Sequence, residues 1–78
     1  MRQAEVQYAY RIPDSHPYIS VVSIDPADHR RASDMIDDRP ELRALYTDTK
    51  GPDRWTMHVG CASERGRADF DNWVDNVL

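Results

Sequence analysis

The chain has 78 residues, 10 of them basic and 14 acidic, for a formal net charge of −4. That length allows one small domain, spanning residues 1–78, which buries only about 60% of the surface its unfolded form exposes. The acidic balance argues against a nucleic-acid binder, whose footprint is a basic face, and no stretch approaches the roughly 18 apolar residues of a membrane span.

Nine of the ten basic residues are arginine and eleven of the fourteen acids are aspartate, a bias that speaks to genome or salt adaptation more than to function. The 40% hydrophobic content suffices for a folded domain, and the aromatics are spread along the chain without low-complexity stretches. Met1-Arg2-Gln3-Ala4-Glu5 lacks the apolar run of a signal peptide, so a cytoplasmic protein is expected. A lone Cys61 excludes an internal disulfide.

Residues 4–12 alternate: Ala4, Val6, Tyr8, Tyr10 and Ile12 share one face, with Glu5, Gln7 and Arg11 on the other. That period predicts a half-buried strand. Pro13-Asp14-Ser15-His16-Pro17 interrupts it with turn chemistry, and the β-branched residues 18–24 predict a second strand, joined to the first as a hairpin. Asp25-Pro26-Ala27-Asp28 signals a helix start, with Asp25 as N-cap, Pro26 in the first helical position and Asp28 at the positive end of the dipole. The helix should run to about Asp38, carrying a thin stripe of Ala27, Ala32, Met35 and Ile36. Pro40 makes Arg39 a boundary.

Residues 41–47 fit two patterns. Leu42, Leu45 and Tyr46 suit a short helix, whereas Leu42, Ala44 and Tyr46 suit a strand. The strand is preferred because residues 54–61 need a partner: Trp55, Met57, Val59 and Cys61 fall on one face, and Arg54, Thr56 and His58 on the other. Residues 48–53 would be the turn between them. Ser63 then caps a final helix in which Phe70, Trp73, Val74, Val77 and Leu78 form a wide apolar stripe. Helix and chain end together at Leu78, which reads as a natural terminus. The expected architecture is α+β: an antiparallel sheet of three to four strands with two helices on one face, in ββαββα order.

Little in this pattern carries chemistry. Asp25, Asp28 and His29 could offer metal ligands, but capping accounts for them, and His16, His29 and His58 lack metal-site spacing. Three positions along a strand put His58 and Cys61 on opposite faces, so Cys61 reads as a buried apolar residue. The serines sit in strands or caps, with no nucleophile elbow around them. The three glycines cannot build a phosphate loop. No catalytic residue, cofactor or metal site is therefore assigned, and an enzyme with an unrecognised acid–base pair ranks last.

Two surface features remain. Asp34, Asp37 and Asp38 on the first helix, with Asp69, Asp71 and Asp75 on the last, could form a broad acidic face that steers a basic partner. Tyr8, Tyr10 and Tyr18 exceed what one small sheet face needs, though core packing accounts for them first. The expected function is a non-enzymatic protein-binding module acting by surface contact, such as a phage- or mobile-element-encoded inhibitor that sets its acidic face against a nucleic-acid-binding target. Its partner is a protein with a basic surface, with no direct binding of nucleic acid or membrane. The alternative is a regulatory or ligand-sensing domain that forms a homodimer through a sheet edge.

Overall fold

The computed structural model describes residues 10–78. Among these residues three strands, β1 (Tyr18–Ile24), β2 (Leu42–Asp48) and β3 (Trp55–Cys61), form one antiparallel sheet in the order β1-β3-β2. Two helices, α1 (His29–Asp37) and α2 (Glu64–Val77), complete an α+β fold in β-α-β-β-α order. Because β3 is antiparallel to both neighbours, β1 and β2 run parallel with β3 between them, a split β-α-β unit bridged by α1.

This corrects the expected ββαββα order. Residues 4–9 of the expected first strand lie outside the described residues, and residues 10–12 are not extended in a sheet. Among the described residues β1 pairs with β3, from Tyr18 opposite Cys61 to Ile24 opposite Trp55. The reason lies in how residues 10–17 are anchored. The Tyr10 ring lies 5.4 Å from His58 and 6.2 Å from Tyr46, over β3 and β2, and the Tyr10 hydroxyl is 3.0 Å from His58 Nδ1. His16 N–H closes a turn on the Pro13 carbonyl at 3.1 Å, and His16 Nε2 donates to the Pro40 carbonyl at 3.0 Å. The segment thus crosses the sheet face on its way into β1 and does not run back alongside it.

Residues 42–48 form the preferred strand, with one departure from strict alternation. The register opposite β3 slips between Ala44 and Tyr46, a bulge that leaves Leu45 extra and shifts the phase of the strand. Leu42, Ala44 and Thr47 therefore lie opposite Cys61, Val59 and Met57, while Tyr46 lies opposite His58. In the β2–β3 connection, Asp48 accepts the Lys50 N–H at 3.0 Å. A Cβ on Gly51 would come within 2.5 Å of the Arg54 carbonyl oxygen, so only glycine lets the chain close so tightly.

The capping residues act as the sequence predicts, although α1 itself begins at His29 and not at the expected Pro26. Asp25 accepts the Ala27 N–H at 2.9 Å, and Pro26–Asp28 form a single 3-10 turn before α1. Ser63 accepts the Gly66 N–H at 3.0 Å and so satisfies one of the orphan donors of α2. Helix α1 ends at Asp37, before Pro40. Both helices cover the same face of the sheet, where Ile24, Ala32, Ile36, Leu42, Met57, Val59, Cys61, Phe70 and Val74 make one buried core.

The α2 stripe is narrower than its sequence implies. Phe70 and Val74 are buried, Trp73 and Leu78 are only partly covered, and Val77 is 40% exposed. Ala27, in the 3-10 turn that precedes α1, is exposed as well. A helix at the sheet margin buries only the residues aimed at the sheet, and those on either side of that line form its shoulders. Among the described residues, no helix is long and apolar enough to cross a membrane.

Candidate functional site

The six candidate aspartates do not share one surface. Asp34 is ion-paired with Arg30 at 3.7 Å on the exposed side of α1. Asp37 and Asp38 sit at the C-terminal end of α1, lining shallow hollows with Arg39 and Pro40. Asp69 faces the cleft between the helices, an opening of about 270 Å³ with Met35, Leu42, Phe70 and Trp73 as its apolar walls. Asp71 and Asp75 point the other way, toward β1. Helical spacing explains the division: Asp71 and Asp75 are four residues apart and share one side of α2, whereas Asp69 lies 200° around from Asp71 at about 100° per residue.

The side carrying Asp71 and Asp75 is a groove. It runs between α2 and β1, encloses about 530 Å³ and is lined by Ser20, Ser23, Val74, Arg67, Asp71 and Asp75. Its lower end continues past Ser23 and Asp75 to Asp25, Asp28 and Arg54. One polar contact ties its walls together. Ser20 is 3% exposed, and its hydroxyl donates to Asp71 Oδ1, joining strand to helix. A buried hydroxyl without an acceptor is costly, so this bond both satisfies Ser20 and fixes the Asp71 carboxylate at the groove wall. Ser20 and Arg67 are functional candidates that the sequence reading did not single out. The signal for Ser20 was present: it falls in phase with Val22 and Ile24, so a hydroxyl occupies a core-facing position.

The outer edge of β1 bounds the groove. Among the described residues β1 pairs with β3 alone, since β2 lies on the far side of β3. Arg54 reaches its end, donating to the Ser23 carbonyl at 2.7 Å and the Ser23 hydroxyl at 3.2 Å. A charged side chain at a strand end is one of the devices that limit edge pairing.

The opposite face of the sheet is covered unevenly. Tyr10, Tyr46 and His58 cluster over β2 and β3, with Tyr46 and His58 ring centroids 5.5 Å apart. Over β1, Val21 stays 55% exposed. Tyr10 thus packs on the face away from the helices, and Tyr18 is exposed; Tyr8 lies outside the described residues. His29 sits beside Trp55 at 5.3 Å and within 3.5 Å of the Thr47 hydroxyl. Each histidine therefore has a structural neighbour, and among the described residues no three His, Cys, Asp or Glu side chains converge as a metal site would require.

Cys61 is fully buried on the helix side of β3, away from His58. Its thiol is pushed up from the ordinary 9.0 to about 11, first by burial, then by the nearby Asp71 carboxylate, with Arg67 opposing. The neutral thiol is the favoured form inside, so this contribution to stability is complete below pH 9.0 and is lost as pH rises toward 11. The folded chain should resist an alkylating reagent at pH 8 and react once unfolded by urea; rapid labelling of the folded chain would show Cys61 to be accessible.

No known protein family, curated protein or solved structure matches this chain. The groove and its charges are thus the basis for a functional reading.

Proposed function

We propose that this chain is a small non-enzymatic protein-binding module that acts by surface contact and takes a partner with a basic surface on the flank built by β1 and α2. The observation that carries this reading is the groove itself, where Asp71 and Asp75 stand beside the outer edge of a strand. Four carboxylates (Asp25, Asp28, Asp71 and Asp75) line it and its extension, against two guanidinium groups, Arg54 and Arg67. Arg54 is already engaged by Ser23. Such a surface attracts basic groups and speeds their encounter. A protein that holds nucleic acid offers a basic surface of this kind, so an inhibitor that occupies such a site, as phages and mobile elements encode, is the specific form of the proposal.

A ligand-sensing domain that dimerises through the β1 edge is the second reading, with the interhelical cleft as its ligand site. Charge disfavours it. Two copies joined at β1 in an antiparallel sheet would place both α2 helices on one face and bring their Asp71 and Asp75 rows together.

The test uses immobilised chain to capture its partner, followed by association kinetics. The Asp71→Asn, Asp75→Asn double variant keeps an acceptor for Ser20 and removes two charges. It should slow association about tenfold and flatten the salt dependence, with the dissociation rate changed less. The Asp34→Asn, Asp37→Asn, Asp38→Asn triple variant should associate nearly as the parent does. The opposite ranking would move the binding surface to α1.

A further inference from the structure

We infer that the β1 edge binds its partner by strand addition: the occupant is an extended segment that alternates basic and apolar side chains and becomes a fourth strand of the sheet. This rests on the protein-binding reading and specifies how the partner is held.

Three observations converge on that occupant. The first is backbone: among the described residues, Tyr18–Ile24 has one strand neighbour, so its outer side offers main-chain donors and acceptors to an added strand, short of the Ser23 carbonyl that Arg54 occupies. The second is charge on the helix side. Side chains of an added strand that point toward α2 meet Asp71 and Asp75 along the groove wall, a setting for lysine or arginine. The third is apolar surface on the other side. Ile19 and Val21 lie opposite Gly60 and His58, on the face away from the helices, and Val21 is 55% exposed. Side chains pointing that way meet a β-branched residue with room beside it, which suits valine or isoleucine at cross-strand distance.

Strand geometry fuses the second and third observations into one sequence rule. Successive residues of a strand point to opposite faces, so the acidic groove and the Val21 surface read alternate positions of the same segment. The helix-facing positions are basic and the others apolar. A second copy of this chain fits less well, because its own β1 would carry Ser20 and Val22 toward the acidic wall and add its Asp71 and Asp75 to it.

The experiment uses the full chain, labelled for NMR, and a synthetic Lys-Val-Lys-Val-Lys-Val-Lys peptide. Two controls are a Glu-Val version and a Lys-Val version N-methylated at alternate amides along one edge, prepared separately for each edge. The Lys-Val peptide should bind and slow amide exchange at least tenfold for alternate residues within Ile19–Ser23. The Glu-Val peptide should not bind, and N-methylation of the pairing edge should weaken affinity at least tenfold. Equal binding of both N-methylated peptides and the parent peptide would overturn strand addition while leaving a charge-driven protein contact standing. Failure of all the peptides to bind would overturn the strand rule, and partner kinetics unmoved by Asp71→Asn with Asp75→Asn would separately sink the groove reading. Outward β1 amides already protected in the free monomer, or protected through self-association seen by sedimentation, would show the edge filled by the chain itself and overturn the inference.

Discussion

Phe70→Ala should remove a large share of the domain's stability. Phe70 is 1% exposed and lies at the centre of the core, stacked on Trp73 at 6.3 Å between centroids. Truncating a buried phenylalanine removes its transfer free energy and leaves a cavity, together costing about 3–5 kcal/mol. A domain of this length has roughly 4–12 kcal/mol of stability in total, so the loss is a large share of it. Trp73→Ala makes the informative comparison. Trp73 carries more surface than Phe70, and its place in the sequence stripe suggests an equal burial. It is a shoulder of α2, partly covered and lining the interhelical cleft. Its truncation should cost about 1–2 kcal/mol, the value of partial burial. Urea melts of the two variants decide the matter, and a larger loss for Trp73→Ala would contradict this placement of α2.

Gly60→Val should have the second-largest effect, and it acts through the face away from the helices. A Cβ at Gly60 would stand 3.0 Å from both the His16 Cβ and the His16 carbonyl oxygen, and 3.2 Å from Leu45 Cδ1. Replacing a strand glycine restricts the unfolded chain, which by itself would stabilise the fold by about 0.4–1 kcal/mol. The steric term opposes this and is larger, because a backbone oxygen and a tethered histidine must both move. Overpacking of this kind costs about 1–3 kcal/mol. The residues around His16 should lift off the sheet, breaking the bond from His16 to the Pro40 carbonyl. NMR of the histidine rings, together with a melt, would register both effects. An unchanged His16 environment with parental stability would show that the segment does not press on Gly60.

Local chemistry made much of this fold legible. Asp25 and Ser63 mark helix starts with side chains that bond the first free N–H groups, and Pro26 fits the first turn because it has no N–H to satisfy, signals that need no knowledge of the rest of the chain. The alternation of Trp55, Met57, Val59 and Cys61 set the core face of β3 equally well. The β2–β3 hairpin was legible as well, but the partner of β1 was not. Residues 18–24 follow a turn-rich link, which suggests a hairpin, yet their neighbour β3 begins more than 30 residues later. Pairing at that distance depends on which faces α1 and α2 can cover together, a global matter that no local window contains. The bulge at Leu45 was hidden for the same reason, since Leu42, Ala44 and Tyr46 look regular until the register against β3 is known.

The candidate site was half legible. Helical spacing alone separates Asp69 from Asp71 and Asp75, so a single acidic face drawn from all six aspartates ignores geometry that the sequence already contains. What the sequence could not disclose was that β1 would lie beside the Asp71 and Asp75 side of α2. That juxtaposition required both the sheet order and the contact from Ser20 to Asp71.

A partner held on the β1–α2 flank would be seen most directly by amide mapping of the labelled chain with its captured partner. Shifts and exchange protection should concentrate in Ile19–Ser23 and along the Arg67, Asp71 and Asp75 side of α2. Perturbations centred on Asp34, Asp37 and Asp38, or on Tyr46 and His58, with β1 unchanged, would contradict that placement.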